Sequence, residues 1–493
     1  MAEDRKWTEM TVRGKITHII TNITIEPVIA LYLVLSNTIS IVSVTFKLEK
    51  SCVVNNHYPE TLCQAILDGT ETNDTMVNNI QKTVSQMSSW VDPIQSVLMF
   101  TLLLFIGSWS DRNRRRKPCL LLPLGGEALS MCGLLLCTYF FALPVQVNGL
   151  VQSILPGVTG GLMCIEIAIF SYVSDITTED ERTFRIGLVS TLITITQPFG
   201  SYFSAIIYQY GKYYGTFGTC AVLYGVAMLY VALLLREPRT PKPVQGFCKD
   251  FFDYTHITDT VRTVSRRRDG RGRMKIILVV VLSVLLTAPI IGEGKVGQLF
   301  LMKQLNWDIY NISHYVTFYY TVTIVGSFMV LGLLGSNLKV NDSILGVVAC
   351  LMKIIVNTLY TFSKDGQTFY ILAILEILST ASVTMIRSIT TKLVQAEELG
   401  KLYAFCGIAS AASTIIVPSI YDLVYLFTID TLPGAFFLLG AGINALAVII
   451  FLCINRLQKQ KPVVADISNT AVDNKGFEDI DLNSDITSVN TKL

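Results

Sequence analysis

The chain reads as an all-α membrane protein of twelve transmembrane helices in two six-helix halves, and three observations predict it. Apolar residues make up 51% of the 493 residues and charged residues only 15%, with a mean hydropathy of +0.50. That is too little charge to cover the surface of a soluble chain of this length. The apolar residues gather into a dozen stretches of about 20, each long enough to cross a bilayer as a helix, whereas barrel strands would show alternation over about 10 residues. Basic residues crowd into two loops, which the positive-inside bias assigns to the cytosol.

In chain order the spans are expected near residues 25–46, 91–109, 118–141, 150–172, 186–208, 215–235, 275–297, 314–334, 343–362, 368–390, 402–427 and 432–455. The second and third are joined by a tight basic turn, Gly107-Ser-Trp-Ser-Asp111-Arg112-Asn-Arg114-Arg115-Arg116-Lys117-Pro118. The sixth and seventh are joined by a basic linker over 236–274 that opens with Glu237-Pro238-Arg239-Thr240-Pro241-Lys242-Pro243, which cannot continue a helix, and holds Arg266-Arg267-Arg268. The linker divides an N-terminal half, 1–235, from a C-terminal half, 275–455. Residues 456–493 are polar and acidic without helical periodicity and read as a disordered cytoplasmic tail. An even number of spans puts both termini in the cytosol. Arg5-Lys6 runs into polar sequence, so the first span is expected to act as an uncleaved insertion signal.

The long first loop, 47–90, then faces the oxidising side. It holds Cys52 and Cys63, expected to form a disulfide, and Asn73-Asp74-Thr75, an acceptor for glycosylation at Asn73. Asn22 and Asn311 head further matches to the same pattern. Eight other cysteines fall inside apolar spans and read as small buried hydrophobes.

A charge at the centre of a span costs about 2.5–3.5 kcal/mol on insertion scales, so each needs a partner, water or a function. The candidates are Glu127, Glu166, Glu293, Lys295, Lys353, Glu376 and Arg387. Of these, Arg387, Glu376, Glu166, Glu293 and Lys295 are the expected substrate-binding set. Glu376 and Arg387, eleven positions apart, would share one face of a continuous helix. Gly292-Glu293-Gly294-Lys295-Val296-Gly297, following Pro289, reads either as a helix interruption that exposes backbone to a site or as the outer end of the helix. Asp111, Arg112, Arg115, Asp175 and Arg182 cluster at the cytoplasmic ends of spans and form a candidate gating network. No phosphate-binding lysine loop, zinc-ligand helix or nucleophile elbow occurs, so neither an enzyme nor an ATP-driven pump is expected, and no metal, cofactor or nucleic acid is called for.

The Gly-xxx-Asp-Arg-xx-Arg-Arg spacing of the basic turn resembles the loop signature of the major facilitator superfamily, with Arg114 where that signature usually has glycine. Five further stretches resemble solute carrier family 46, the proton-coupled folate transporter family. They are Ile25-Glu26-Pro27-Val28, Ser174-Asp175, Glu181-Arg182-Thr183-Phe184-Arg185, Asn306-Trp307-Asp308, and Ile386-Arg387 with Lys392-Leu393-Val394. The resemblance implies uptake of small anionic organic solutes, with protons as a candidate co-substrate, and it matches Arg387, Asp111 and Asp175 to family positions. Where folate-transporting members carry an acid on the fifth span, a histidine on the seventh and an aspartate on the fourth, this chain has Ser190, residues 289–291 without imidazole, and Val158. A different anion, such as a cell-wall fragment or a conjugated solute, fits equally well. Asn306 stands where those members have a cysteine, so no bond can tie the first loop to that position. The alternative is a non-transporting receptor or scaffold that kept the fold. The plasma membrane is the expected location, with a lysosomal or endosomal membrane as the alternative.

Overall fold

The computed structural model describes residues 23–71, 73–238, 240, 251, 272–336, 341–393 and 396–459. Asn22, most of the linker, Lys339, Val394 and the acidic tail lie outside the described residues.

Among the described residues fourteen α-helices make twelve crossings. The first half comprises α1 (Glu26–Lys50), a short loop helix α2 (Glu60–Leu67), α3 (Asp74–Asn113), α4 (Lys117–Tyr139), α5 (Val145–Thr159), α6 (Gly161–Ile176) and α7 (Glu179–Leu233). The second comprises α8 (Gly272–Leu305), α9 (Ile309–Ser336), α10 (Asp342–Phe362), α11 (Gly366–Leu375), α12 (Ala381–Leu393), α13 (Ala396–Thr428) and α14 (Ala435–Lys459). Ten helical stretches among the described residues are long and apolar enough to cross a membrane. One of them, Phe184–Leu233, makes two crossings because the backbone of α7 leaves helical geometry at Lys212 (φ 47°, ψ −145°); α9 supplies the twelfth. Apolar side chains such as Leu129, Leu229, Phe328, Ile355 and Phe427 are exposed, as expected where the neighbour is lipid.

Two crossings are broken. Gly160, between α5 and α6, and Gly161, the first residue of α6, take φ of +83° and +45°, a region open mainly to glycine. Between α11 and α12 the chain tightens into a 3₁₀ turn over Glu376–Thr380. By contrast α8 runs unbroken through Pro289 and Gly292–Gly297, which decides against the interruption considered for that stretch. A neighbour explains one glycine: a Cβ on Gly292 would lie 2.2 Å from the Tyr421 ring.

α3 starts well before its apolar run, capped by the Asn73 side chain, which accepts from Met76 N at 3.3 Å. Its 40 residues span about 60 Å, twice the hydrocarbon thickness. The early part stays helical because Ile80, Val84 and Met87 are buried on one side of it. Nearby, Cys52 and Cys63 are disulfide-bonded with Cα atoms 5.8 Å apart. Gly69 (φ +71°) seats this loop on Asn306, whose carbonyl oxygen would lie 2.1 Å from a Cβ at 69, so the two loops meet without a covalent bond. On intact, unreduced cells Cys52 and Cys63 should both escape thiol reagents and react only after reduction. Replacing both by serine should cost roughly 2–4 kcal/mol. Labelling of both before reduction would count against the bond.

The halves meet at the loop end. One apolar cluster there runs across both, from Leu48, Ile80 and Val84 to Val296, Phe300, Tyr425 and Phe436. At the opposite end, which carries the basic hairpin, the cluster containing Val279, Leu282, Ile386 and Phe451 holds residues of the second half alone.

Candidate functional site

Three groups of charges stand out, at three depths. At the hairpin end α3 closes with Arg114 in the left-handed region (φ 56°), which explains why glycine suits this position. The turn delivers Arg116 into a buried network. Its guanidinium pairs with Asp111 at 2.6 Å and Asp175 at 2.8 Å and donates to Ser110 Oγ at 2.9 Å. Backbone N–H groups of Arg116 and Lys117 donate to Glu237 at 2.8 and 3.1 Å. Burial works against the Arg116 charge, but the hydrogen bonds to Asp175 and Asp111 outweigh it and hold the guanidinium above its ordinary pKa. The expected gating carboxylates are thus brought together by Arg116, a residue the sequence reading placed only in the basic run. Arg112 and Arg115 flank it, and Arg182 lies half-buried at the start of α7. Among the described residues the Arg116 contacts join α3, α6 and the start of the linker, so they stiffen the hairpin end of the first half.

Inside the second half Lys353 of α10 is held between Glu293 of α8, at 2.8 Å, and Glu376 of the 3₁₀ turn. Asn357 Nδ2 donates to Glu293 Oε1 at 2.6 Å, and Tyr319 OH donates to Glu376 Oε1 at 3.1 Å. A Cβ on Gly440 would strike the Glu293 carboxylate at 2.1 Å, so α14 closes over the group. Glu293 is therefore turned into its own half. The 3₁₀ turn also removes the shared face expected for Glu376 and Arg387: Glu376 is buried, whereas Arg387 is exposed on α12. The physical reason is the register change between 3.0 and 3.6 residues per turn. Glu166 is half-buried on α6 and, among the described residues, makes no hydrogen bond or ion pair. Glu127 accepts from Tyr32 OH at 3.0 Å. The expected binding residues therefore do not form one site.

The third group lies between the halves. Lys295 of α8 pairs with Asp92 of α3 at 2.7 Å while keeping 38% of its side chain exposed. Lys47 of α1 and Asp422 of α13 are buried beside this pair and interact electrostatically with it and with each other. Lys295 stands ten residues before the end of α8, about 15 Å in depth. Above this group a polar latch closes the loop end. Lys82 and Asn78 hold Asp430 at 2.5 and 2.8 Å, Gln81 Nε2 donates to Leu299 O at 3.0 Å, and Tyr425 OH donates to Gln81 at 2.6 Å. The Lys82 hydrogen bond holds the exposed Asp430 carboxyl below the usual range. Sequence reading missed Lys47, Asp92 and Asp422. A signal existed for two of them, since Asp92 and Asp422 lie within expected spans, whereas Lys47 falls one residue past one.

Known proteins bear on this architecture. The Major Facilitator Superfamily family profile matches residues 70–292. A probable peptidoglycan muropeptide transporter of Drosophila melanogaster is 25% identical over 86% of this chain and 85% of its own. The lysosomal proton-coupled steroid conjugate and bile acid symporter of Mus musculus is 24% identical over 71% and 75%. The proton-coupled folate transporter of Rattus norvegicus is 23% identical over 72% and 75%. Among solved structures, the human organic anion transporter MFSD10 superposes with a TM-score of 0.56 at 13% identity, covering 87% of this chain and 98% of that one; at that identity the likeness concerns the fold. The chain is a multi-pass membrane protein with the fold of the major facilitator superfamily, and its 70–292 segment matches that family's profile. Within the superfamily it is related to solute carrier family 46.

Proposed function

We propose that this chain carries small organic anions across the membrane, with protons as the coupling ion, by rocking its two halves about a site between them. The observation that carries this reading is the Lys295–Asp92 pair, an intramembrane ion pair that joins the two halves and stays reachable. Charges at that depth are costly unless they serve a pathway. The relatives named for folate, bile acids and steroid conjugates, and muropeptides suggest the cargo class, since each of those solutes carries an anionic group. In this reading the hairpin end and both termini face the cytosol of the plasma membrane or of an endolysosomal one, and the Asn73 loop faces outward or into the lumen. The described state, closed at the loop end, is the inward-facing one.

The test is uptake into vesicles reconstituted with the purified protein, using folate, taurocholate and muramyl dipeptide, with and without an imposed pH gradient. Saturable uptake of at least one, enhanced by the gradient, is expected. Lys295→Gln should raise the half-saturation concentration about thirtyfold, the lower end of the cost of truncating one side of a buried charge contact. Arg387→Lys, at an exposed position nearer the hairpin end, should raise it by a smaller factor through loss of a bidentate grip. No uptake and no exchange of any of the three would favour a receptor or scaffold instead.

A further inference from the structure

Lys47, Lys295, Asp92 and Asp422 sum to zero, but they are not partnered evenly. Asp92 and Lys295 take each other at 2.7 Å. Lys47 is 8% exposed and, among the described residues, makes neither a hydrogen bond nor an ion pair. Asp422 is 1% exposed, and its Oδ2 is buried without a donor. The charged groups that face Asp422 from the neighbouring helices are Lys47 on α1, Asp92 on α3 and Lys295 on α8. A buried carboxylate oxygen without a donor, beside an ammonium that does not pair with it, is left under-satisfied at considerable cost. Such an arrangement persists where a ligand completes it.

We infer that Lys47 receives the anionic group of the cargo, assisted by Lys295, and that Asp422 takes up one proton as the anion binds. This deepens the transport reading and rests on it for the identity of the cargo. The anion brings one negative charge to a neutral cluster, and a net charge in a low-dielectric interior is unfavourable. One proton restores neutrality. It goes to Asp422 because Asp92 keeps its ammonium partner at 2.7 Å, whereas the electrostatic support of Asp422 comes from Lys47, which the anion now occupies. Anion and proton then bind together, and by linkage each strengthens the other. The contributing helices come from both halves, α1 and α3 from the first and α8 and α13 from the second, so the loaded and empty clusters bias how the halves meet.

The experiment uses the full-length protein purified in detergent. Folate, taurocholate and muramyl dipeptide are titrated in weak buffer while binding and the pH of the solution are followed together. At least one should bind with uptake of about one proton per anion. Lys47→Gln should weaken that binding at least about thirtyfold and Lys47→Arg should retain most of it. Asp422→Asn should bind the anion with no proton taken up. The double variant Lys47→Gln with Asp422→Asn keeps the cluster neutral, guarding against a misfolded single variant, and should show weak binding and no proton uptake. Wild-type affinity in Lys47→Gln or in the double variant overturns the site, as does proton uptake that survives Asp422→Asn, or failure of all three anions to bind. A protein that binds as expected but moves nothing into vesicles overturns the transport reading while leaving the site standing.

Discussion

Lys353→Met should remove nearly all folded protein from the membrane, and Glu293→Gln with Glu376→Gln in the same chain should bring it back. Lys353 is the counter-charge of both carboxylates, at 2.8 Å from Glu293 and in direct contact with Glu376. Its side chain is only 12% exposed, theirs 11% and 8%, so water cannot replace it. Removing one member of a buried ion group typically costs about 3–5 kcal/mol, a large share of the 5–15 kcal/mol that stabilises an ordinary domain. The triple variant leaves two amides that Asn357 and Tyr319 can still hydrogen-bond, and exchanging a buried charge group for neutral residues of similar volume is often tolerated. Glu293→Gln alone should be milder, because the Lys353–Glu376 pair survives. The readout is the monodisperse fraction and melting temperature of the detergent-extracted protein. A Lys353→Met chain that extracts and melts like wild type would mean that the triad does not support the fold.

How far the sequence foretold this arrangement depended on the kind of signal. The twelve crossings were legible because each needs about 20 apolar residues, a pattern carried by composition alone. Helix ends were less so. Residues 74–90 are too polar to read as part of a span, yet they extend α3 because its buried face is supplied by tertiary partners. The breaks were misjudged in both directions: Gly292–Gly297 stays helical, whereas Gly160-Gly161 takes positive φ and interrupts its crossing. Resemblance pointed to residues without giving their roles. Ile25-Glu26 and the Arg185 that ends Glu181-Arg182-Thr183-Phe184-Arg185 turn out to meet, as a buried Arg185–Glu26 pair at 2.5 Å in which Glu26 also accepts from Thr24 N and Ile25 N. The intramembrane charges were legible as a class, since each interrupts an apolar run. Their partners were not legible, because pairing across helices depends on rotation about each helix axis, which hydropathy does not encode.

At the hairpin end, Asp175→Asn should destabilise the protein far more than Asp111→Asn, although both carboxylates bind the same guanidinium. The Asp175 side chain is 6% exposed and that of Asp111 68%. Truncating the buried partner leaves Arg116 in a dry site and should cost about 3–5 kcal/mol, whereas the exposed pair is screened by water and should be worth no more than about 1 kcal/mol. Asp111→Asn should therefore be expressed and extracted like wild type. That separation makes Asp111 the useful probe of gating. Its carboxylate touches Arg116 from the end of α3, while Asp175 anchors the same guanidinium to α6, so the exposed contact can loosen without unfolding the half. If the network times the closing of the cytosolic side, Asp111→Asn should lower the turnover of reconstituted protein severalfold at unchanged half-saturation, with its melting temperature within a few degrees of wild type. Equal melting temperatures for the two variants would contradict the burial argument, and wild-type turnover in Asp111→Asn would leave the Arg116 network a stabiliser of the first half and nothing more.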